Sequence, residues 1–219
     1  MVQRFYRADV SCGVFLTATN IAISAKKAGR KIDLFVFLNT MNSAYYQHIC
    51  NGTAHAIARQ SRAKEVFHSP ELLADLTEFA SDLSNPNLHK ALWIIELIAL
   101  KKPTWVAPYL PQMLEVAPNY THESAKRAFS NTLAKLCLAN LIPENRAEAT
   151  VELALQWLIQ PEKTVPKVMA IRILYHYHTQ FPWVVEPLLE LMQKDFAKQS
   201  PGLQHSVRKF SKLLTQARN

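Results

Sequence analysis

The residues of this 219-residue chain that could do chemistry are three cysteines, eight histidines and a few isolated carboxylates. Cys12, Cys50 and Cys137 are odd in number and far apart, with no CxxC pair and no zinc-ligand spacing. They read as small buried hydrophobes in a reducing cytoplasm, not as a disulfide framework. His176 and His178 stand two apart on a helical pattern and so point to different faces. With His48, His55 and His205 scattered, neither a metal site nor a cofactor is expected. Glu96 is the sole acid between Leu83 and Leu114 and lies inside ALWIIELIAL at 91–100, which is apolar nearly all round. That pattern buries it. A buried carboxylate without a partner is costly, so Glu96 needs a donor from a later helix, Arg127 or Lys126, and reads as a structural acid. No Ser/His/Asp elbow, phosphate-binding glycine loop or HExxH string occurs, so no catalytic residue is assigned.

The elements that must carry these residues are helical. Apolar residues make up 49% of the chain, enough for a real core. Glycine occurs only at 13, 29, 52 and 202, leaving 149 consecutive residues without one. Hairpin turns and phosphate loops both depend on glycine, so sheet folds and α/β nucleotide folds are disfavoured. No run of about 18 uncharged apolar residues is present, so no membrane span is expected. Proline punctuates helix-length segments, since its fixed φ and missing N–H suit a first turn. Helices are predicted near 43–67, 70–83, 86–102, 103–118, 120–140, 143–160, 162–180, 181–199 and 201–217. Trp93, Trp105, Trp157 and Trp183 fall at apolar positions and read as core. Tyr175, Tyr177 and Phe181 form an aromatic run that reads as core and inter-repeat packing, with base stacking the other reading.

The first forty residues differ. They hold six bases (Arg4, Arg7, Lys26, Lys27, Arg30, Lys31), two acids (Asp9, Asp33) and two of the four glycines. A secretory signal fits poorly because Asp9 interrupts its start; the Arg-rich character leaves a transit peptide as an alternative. The preferred reading takes Met41 as the working start, with 1–40 an extension that docks weakly and 41–219 a helical repeat domain.

From Met41 onward the pattern repeats. A basic residue precedes large apolar residues at Lys90, Lys126, Lys167 and Arg208, spaced 36, 41 and 41 apart. A second echo is PTWVAPYL at 103–110 against PWVVEPLL at 182–189. A helix pair of roughly 40 residues is the length of a HEAT-type unit. The stretch PELLADL at 70–76, running on to DLSNPNLHKALW at 82–93, resembles a HEAT repeat, and PGLQHSVRKFSKLL at 201–214 resembles a second copy of its later half. The resemblance implies an all-α fold: a short right-handed α-solenoid of about four helix pairs, 70–102, 103–140, 143–180 and 181–217, capped by an N-terminal helix. KALWIIE at 90–96 with WVAPYL at 105–110 is also similar to a small family of bacterial HEAT-like proteins sometimes labelled adenylosuccinate lyase. The SSxMPxKxN loop of true lyases is absent, so the activity is not carried over.

Charge divides by helix role. The first helices of the pairs sum to −8 and the second helices to +10. The HEAT resemblance implies that second helices line a concave surface. The candidate binding ladder is therefore Lys90, Lys126, Arg127, Lys167, Arg172, Arg208 and Lys209. A competing structural reading pairs such bases with acids in the preceding turn, Asp82 with Lys90 and Glu162 with Lys167. Asn119 stands where an acid would serve Lys126, and nothing comparable precedes Arg208. The favoured function is a non-enzymatic cytoplasmic scaffold that binds a protein partner on the concave face. Sequence-independent nucleic-acid binding is the first alternative, with HEAT-like alkylpurine DNA glycosylases a precedent for such a surface on this fold. Lyase chemistry is the third.

Overall fold

The computed structural model describes residues 45, 47–160, 162–194 and 196–218. The expectations for residues 1–40 and for a start at Met41 lie outside the described residues. By contact clustering the chain divides into two units, Met1–Ala58 and Arg59–Asn219.

The fold is all-α, with no strand among the described residues. The helices are α1 (Ala56–His68), α2 (Leu72–Ser81), α3 (Leu88–Lys101), α4 (Pro103–Val106), α5 (Leu110–Val116), α6 (Glu123–Leu138), α7 (Ala147–Ile159), α8 (Thr164–Tyr177), α9 (Val185–Gln193) and α10 (Pro201–Arg218). None is long and apolar enough to cross a membrane.

Helix packing follows from which positions are apolar. In α2 the buried Leu73, Leu76, Phe79 and Ala80 fall on one stripe. In α3 eight residues are buried, among them the consecutive Ala91, Leu92, Trp93, Ile94 and Ile95. A helix apolar over so wide an arc must be covered on more than one side. α3 is indeed covered, by α2 on one flank and α6 on another. α6 packs in turn on α8, and α8 on α10, so α3, α6, α8 and α10 touch in chain order. The alternate helices pack behind them: α2 against α3 and α5, α7 against α8 and α9, and α9 against α10. Phe129 of α6, fully buried, meets Tyr120 and Trp157 edge-on at 5.7 and 6.4 Å and ties three segments into one core.

Several predicted segments prove broken, for identifiable reasons. The single helix expected at 43–67 is interrupted at 51–55, next to Gly52, before α1 begins. The segment 103–118 is split into α4, a 3-10 turn at Ala107–Tyr109, α5 and another at Ala117–Asn119. Pro108, Pro111 and Pro118 cannot donate to the preceding turn, and their rings crowd its carbonyls. The segment 181–199 reduces to α9 flanked by 3-10 turns at Pro182–Val184 and Phe196–Lys198. Trp183, expected in the core, is 51% exposed. Its counterpart in the repeated phrase, Trp105, is shielded by Phe67 of α1 at 6.0 Å, so the phrase recurs but its neighbours do not.

α6 ends without glycine. Asn140 adopts φ 55°, while Leu141 N–H bonds the Leu136 carbonyl at 3.0 Å and Asn140 N–H bonds that of Cys137 at 2.9 Å. This is a left-handed helix stop that satisfies two otherwise orphaned carbonyls. Asn tolerates the conformation and a β-carbon without a polar group does not. Asn140→Ala is expected to cost about 1 kcal/mol in chemical denaturation, whereas Asn140→Gly holds or raises stability.

Candidate functional site

The packing sorts charge more sharply than the sequence segments do. α2, α5, α7 and α9 carry acids only: Asp75, Glu78, Glu115, Glu148, Glu152, Glu186 and Glu190. All but the half-buried Asp75 are exposed. The row formed by α3, α6, α8 and α10 carries the bases. Within it α8 and α10 have six Lys and Arg residues and no acid. Two abutting helices without a compensating carboxylate create a positive field that no partner within either helix cancels.

The seven ladder residues separate into distinct environments. Lys126 pairs with Glu162, whose side chain is 8% exposed. This corrects the expected Glu162–Lys167 pairing: the acid lies just before α8 and reaches back to α6, because those helices pack together. Arg127 faces Glu96 at 3.7 Å, and Asn131 donates its amide to the same carboxylate at 2.6 Å. Glu96 is half-buried rather than fully buried, and it has a donor from the next helix of the row, one of the two expected. Asp82 accepts from the backbone N–H and hydroxyl of Ser84 at 3.0 and 2.6 Å. Lys90 is half-buried beside the His89 ring. Lys167 turns away to line a small pocket of about 130 Å³ with Leu158, Ile171 and Lys194. Arg208 is exposed over the Phe196 ring at 5.4 Å.

Arg172 and Lys209 are brought together in one cleft, of about 590 Å³, between α8 and α10. Its other walls are Leu138, Tyr175, His176, His178, Phe210 and Leu213. Helical spacing explains the set: Arg172, Tyr175 and His176 lie at i, i+3 and i+4 on α8, and Lys209 and Leu213 at i and i+4 on α10. His176 and His178 were expected on different faces, yet both line the cleft. His178 lies just past the last residue of α8, stacks on Tyr175 at 5.0 Å and 12°, and hydrogen-bonds the Tyr175 carbonyl through Nδ1 at 2.6 Å. Burial holds His176 below the usual histidine range, favouring an uncharged ring. The Lys209 ammonium lies 5.5 Å from the Phe210 ring centre, held over it by cation–π attraction.

Of the aromatic run, Tyr177 is core and hydrogen-bonds buried Cys137, whose thiol burial pushes up to about 12. Such a thiol is inert at neutral pH. Phe181 packs on Tyr177 at 5.8 Å. A second histidine pair joins the pairs of helices. His89 and His122 stack in parallel at 3.9 Å, and His89 meets Trp93 edge-on at 4.9 Å. His122 Nδ1 accepts the Ser124 N–H at 3.1 Å and caps α6, so that nitrogen is unprotonated. His89 Nδ1 is buried without a hydrogen-bond partner. Burial above all, then His122 and Lys90, lower the His89 pKa to about 4; the nearby Pro86 carbonyl acts the other way, outside hydrogen-bond geometry.

Neither the cleft nor the stacked histidines had been singled out from sequence. A ring at i+3 and i+4 from Arg172, and a histidine at the head of two successive second helices, were the available signals. The chain matches no protein-family model, no curated protein and no solved structure.

Two outcomes follow from these contacts. Lys126→Met leaves Glu162 buried without its partner and is expected to cost about 3 kcal/mol, most of it recovered in Lys126→Met/Glu162→Leu, as a double-mutant cycle in urea would read. His89 binds fewer protons folded than unfolded between about pH 6.5 and 4. Its contribution is therefore full above pH 6.5 and falls as pH drops towards 4. Thermal melts across that window should show a shallower acid loss for His89→Phe than for wild type.

Proposed function

We propose that this protein is a non-enzymatic binding module, a short HEAT-like α-solenoid, that holds nucleic acid on the face of its second helices. The arrangement reading rests on helix pairs whose second members touch in chain order. It is supported by cross-links whose partners lie one repeat apart. Glu96–Asn131, Lys126–Glu162, Thr164–Ser200 and Tyr120–Ala80 span 35, 36, 36 and 40 residues. The binding reading rests on one observation above all: α8 and α10 carry no acid, while the helices behind the row carry no base. A polyanion gains from such a surface through phosphate contacts that release counterions, without reading sequence.

A protein partner with an acidic segment is the second reading. Leu100 of α3 and Leu138 of α6, exposed 56% and 54% on the same row, favour it by offering apolar anchors beside the bases.

The experiment is a titration of labelled oligonucleotides between about 50 and 200 mM salt. Affinity is expected to fall steeply with salt, with a log–log slope of about −2 to −4 for the few phosphates these bases can reach. Arg172→Glu with Lys209→Glu should flatten that slope. Affinity that does not fall as salt rises, or no binding at the lowest salt, overturns the reading.

A further inference from the structure

The α8–α10 cleft differs from the rest of the basic row in having rings as well as charge. Its lining holds Arg172 and Lys209, no carboxylate, and the rings of Tyr175, His176, His178 and Phe210. The Arg172 guanidinium is exposed, and its contact with the Met169 sulfur at 4.0 Å is too weak to occupy it. Tyr175 and His178 lie nearly parallel at 5.0 Å, and Tyr175 approaches Phe210 at 5.0 Å with a tilt of 53°, so the three rings form one cluster in the cleft wall. The volume of about 590 Å³ suits a small planar ligand and is far too small for a duplex. A duplex keeps its bases stacked on one another. Only an unpaired base presents a free π-face to such rings.

We infer that this cleft seats one unpaired nucleotide unit, with its phosphate on Arg172 and Lys209 and its base against the Tyr175 and His176 rings. The inference rests on the nucleic-acid reading above and narrows it from any polyanion to single strands. An acidic peptide would use the two bases but gain nothing from the rings. Base–aromatic stacking contributes by itself and tolerates every base, so no sequence preference is expected. The same chemistry is available from a free nucleotide.

The test is fluorescence anisotropy and calorimetry on the full chain with a 12-nucleotide oligo(dT), a 12-base-pair duplex, AMP and ribose 5-phosphate, at one fixed low salt. The single strand is expected to bind at least about 10-fold more tightly than the duplex. Tyr175→Leu is expected to erase that preference, losing about 5- to 100-fold on the single strand and little on the duplex. Tyr175→Phe should keep it. Arg172→Gln, at an exposed position, should weaken strand and duplex alike and guards against a folding defect in the tyrosine variant. AMP binding that is lost in Tyr175→Leu and absent for ribose 5-phosphate also supports the inference; AMP as tight as the strand assigns the site to a free nucleotide. Equal affinity for strand and duplex, or a folded Tyr175→Leu that binds like wild type, overturns the inference and leaves the broader reading standing. Failure of all four probes to bind overturns both.

Discussion

A helix that is apolar over most of its circumference cannot be buried by a single neighbour. α3 shows the consequence most plainly, because eight of its fourteen residues are buried. Its neighbour α6 must cover it, α8 must cover α6, and α10 must cover α8. Everything else inherits that stacking. Where the helices of this row meet, polar groups of neighbouring helices come within reach, and each must be satisfied or it destabilises the fold. Glu96 is met by Arg127 and Asn131, and Glu162 by Lys126. These partly buried pairs fix the register of neighbouring pairs more than they add stability, since desolvation offsets much of their attraction. The exposed pairs Arg146–Glu115 and Lys163–Glu123 also span adjacent pairs but contribute only ~0–1 kcal/mol each.

The packing also determines which bases are engaged by acids. Lys126 and Arg127 are adjacent in sequence, yet both are engaged by acids from neighbouring pairs. Towards the C-terminal end the acids run out: nothing in α8 or α10 opposes their six bases. Structural pairing and binding are therefore not rival accounts of one ladder. The middle of the row uses its charges internally, and the α8–α10 end presents them. Of the rings that share the end with Arg172 and Lys209, Tyr175, His176 and His178 are half-buried and Phe210 is buried, and Tyr175 contacts both His178 and Phe210, so Tyr175 is held in place before any ligand arrives.

Much of this was legible in the residues. The glycine-free stretch and the proline punctuation disclosed an all-α chain, and the nine apolar residues around Glu96 pointed to its burial, which is partial: its side chain is 13% exposed. The cost of leaving that acid alone narrowed its partner to Arg127 or Lys126, and the structure selects Arg127. Other features depend on which helices touch, which a linear pattern does not encode. Glu162 stands nearer in sequence to Lys167 than to Lys126, and only the α6–α8 contact explains its choice. Trp105 and Trp183 occupy the same phrase, yet Trp105 is half-buried beside Phe67 and Lys102 whereas Trp183 is exposed. His176 and His178 both line one cleft, although their spacing alone places them on different faces of α8.

The central claim is that one row of helices, and chiefly its α8–α10 end, is the surface that meets a polyanion. Backbone amide chemical-shift mapping by NMR on the intact chain, titrated with a short single strand, addresses it residue by residue. The account predicts shifts concentrated at Arg172, Tyr175, His176, Lys209 and Leu213 and weaker ones on exposed positions of α6. Shifts centred on α2, α5, α7 or α9, or spread evenly over both rows, would contradict it.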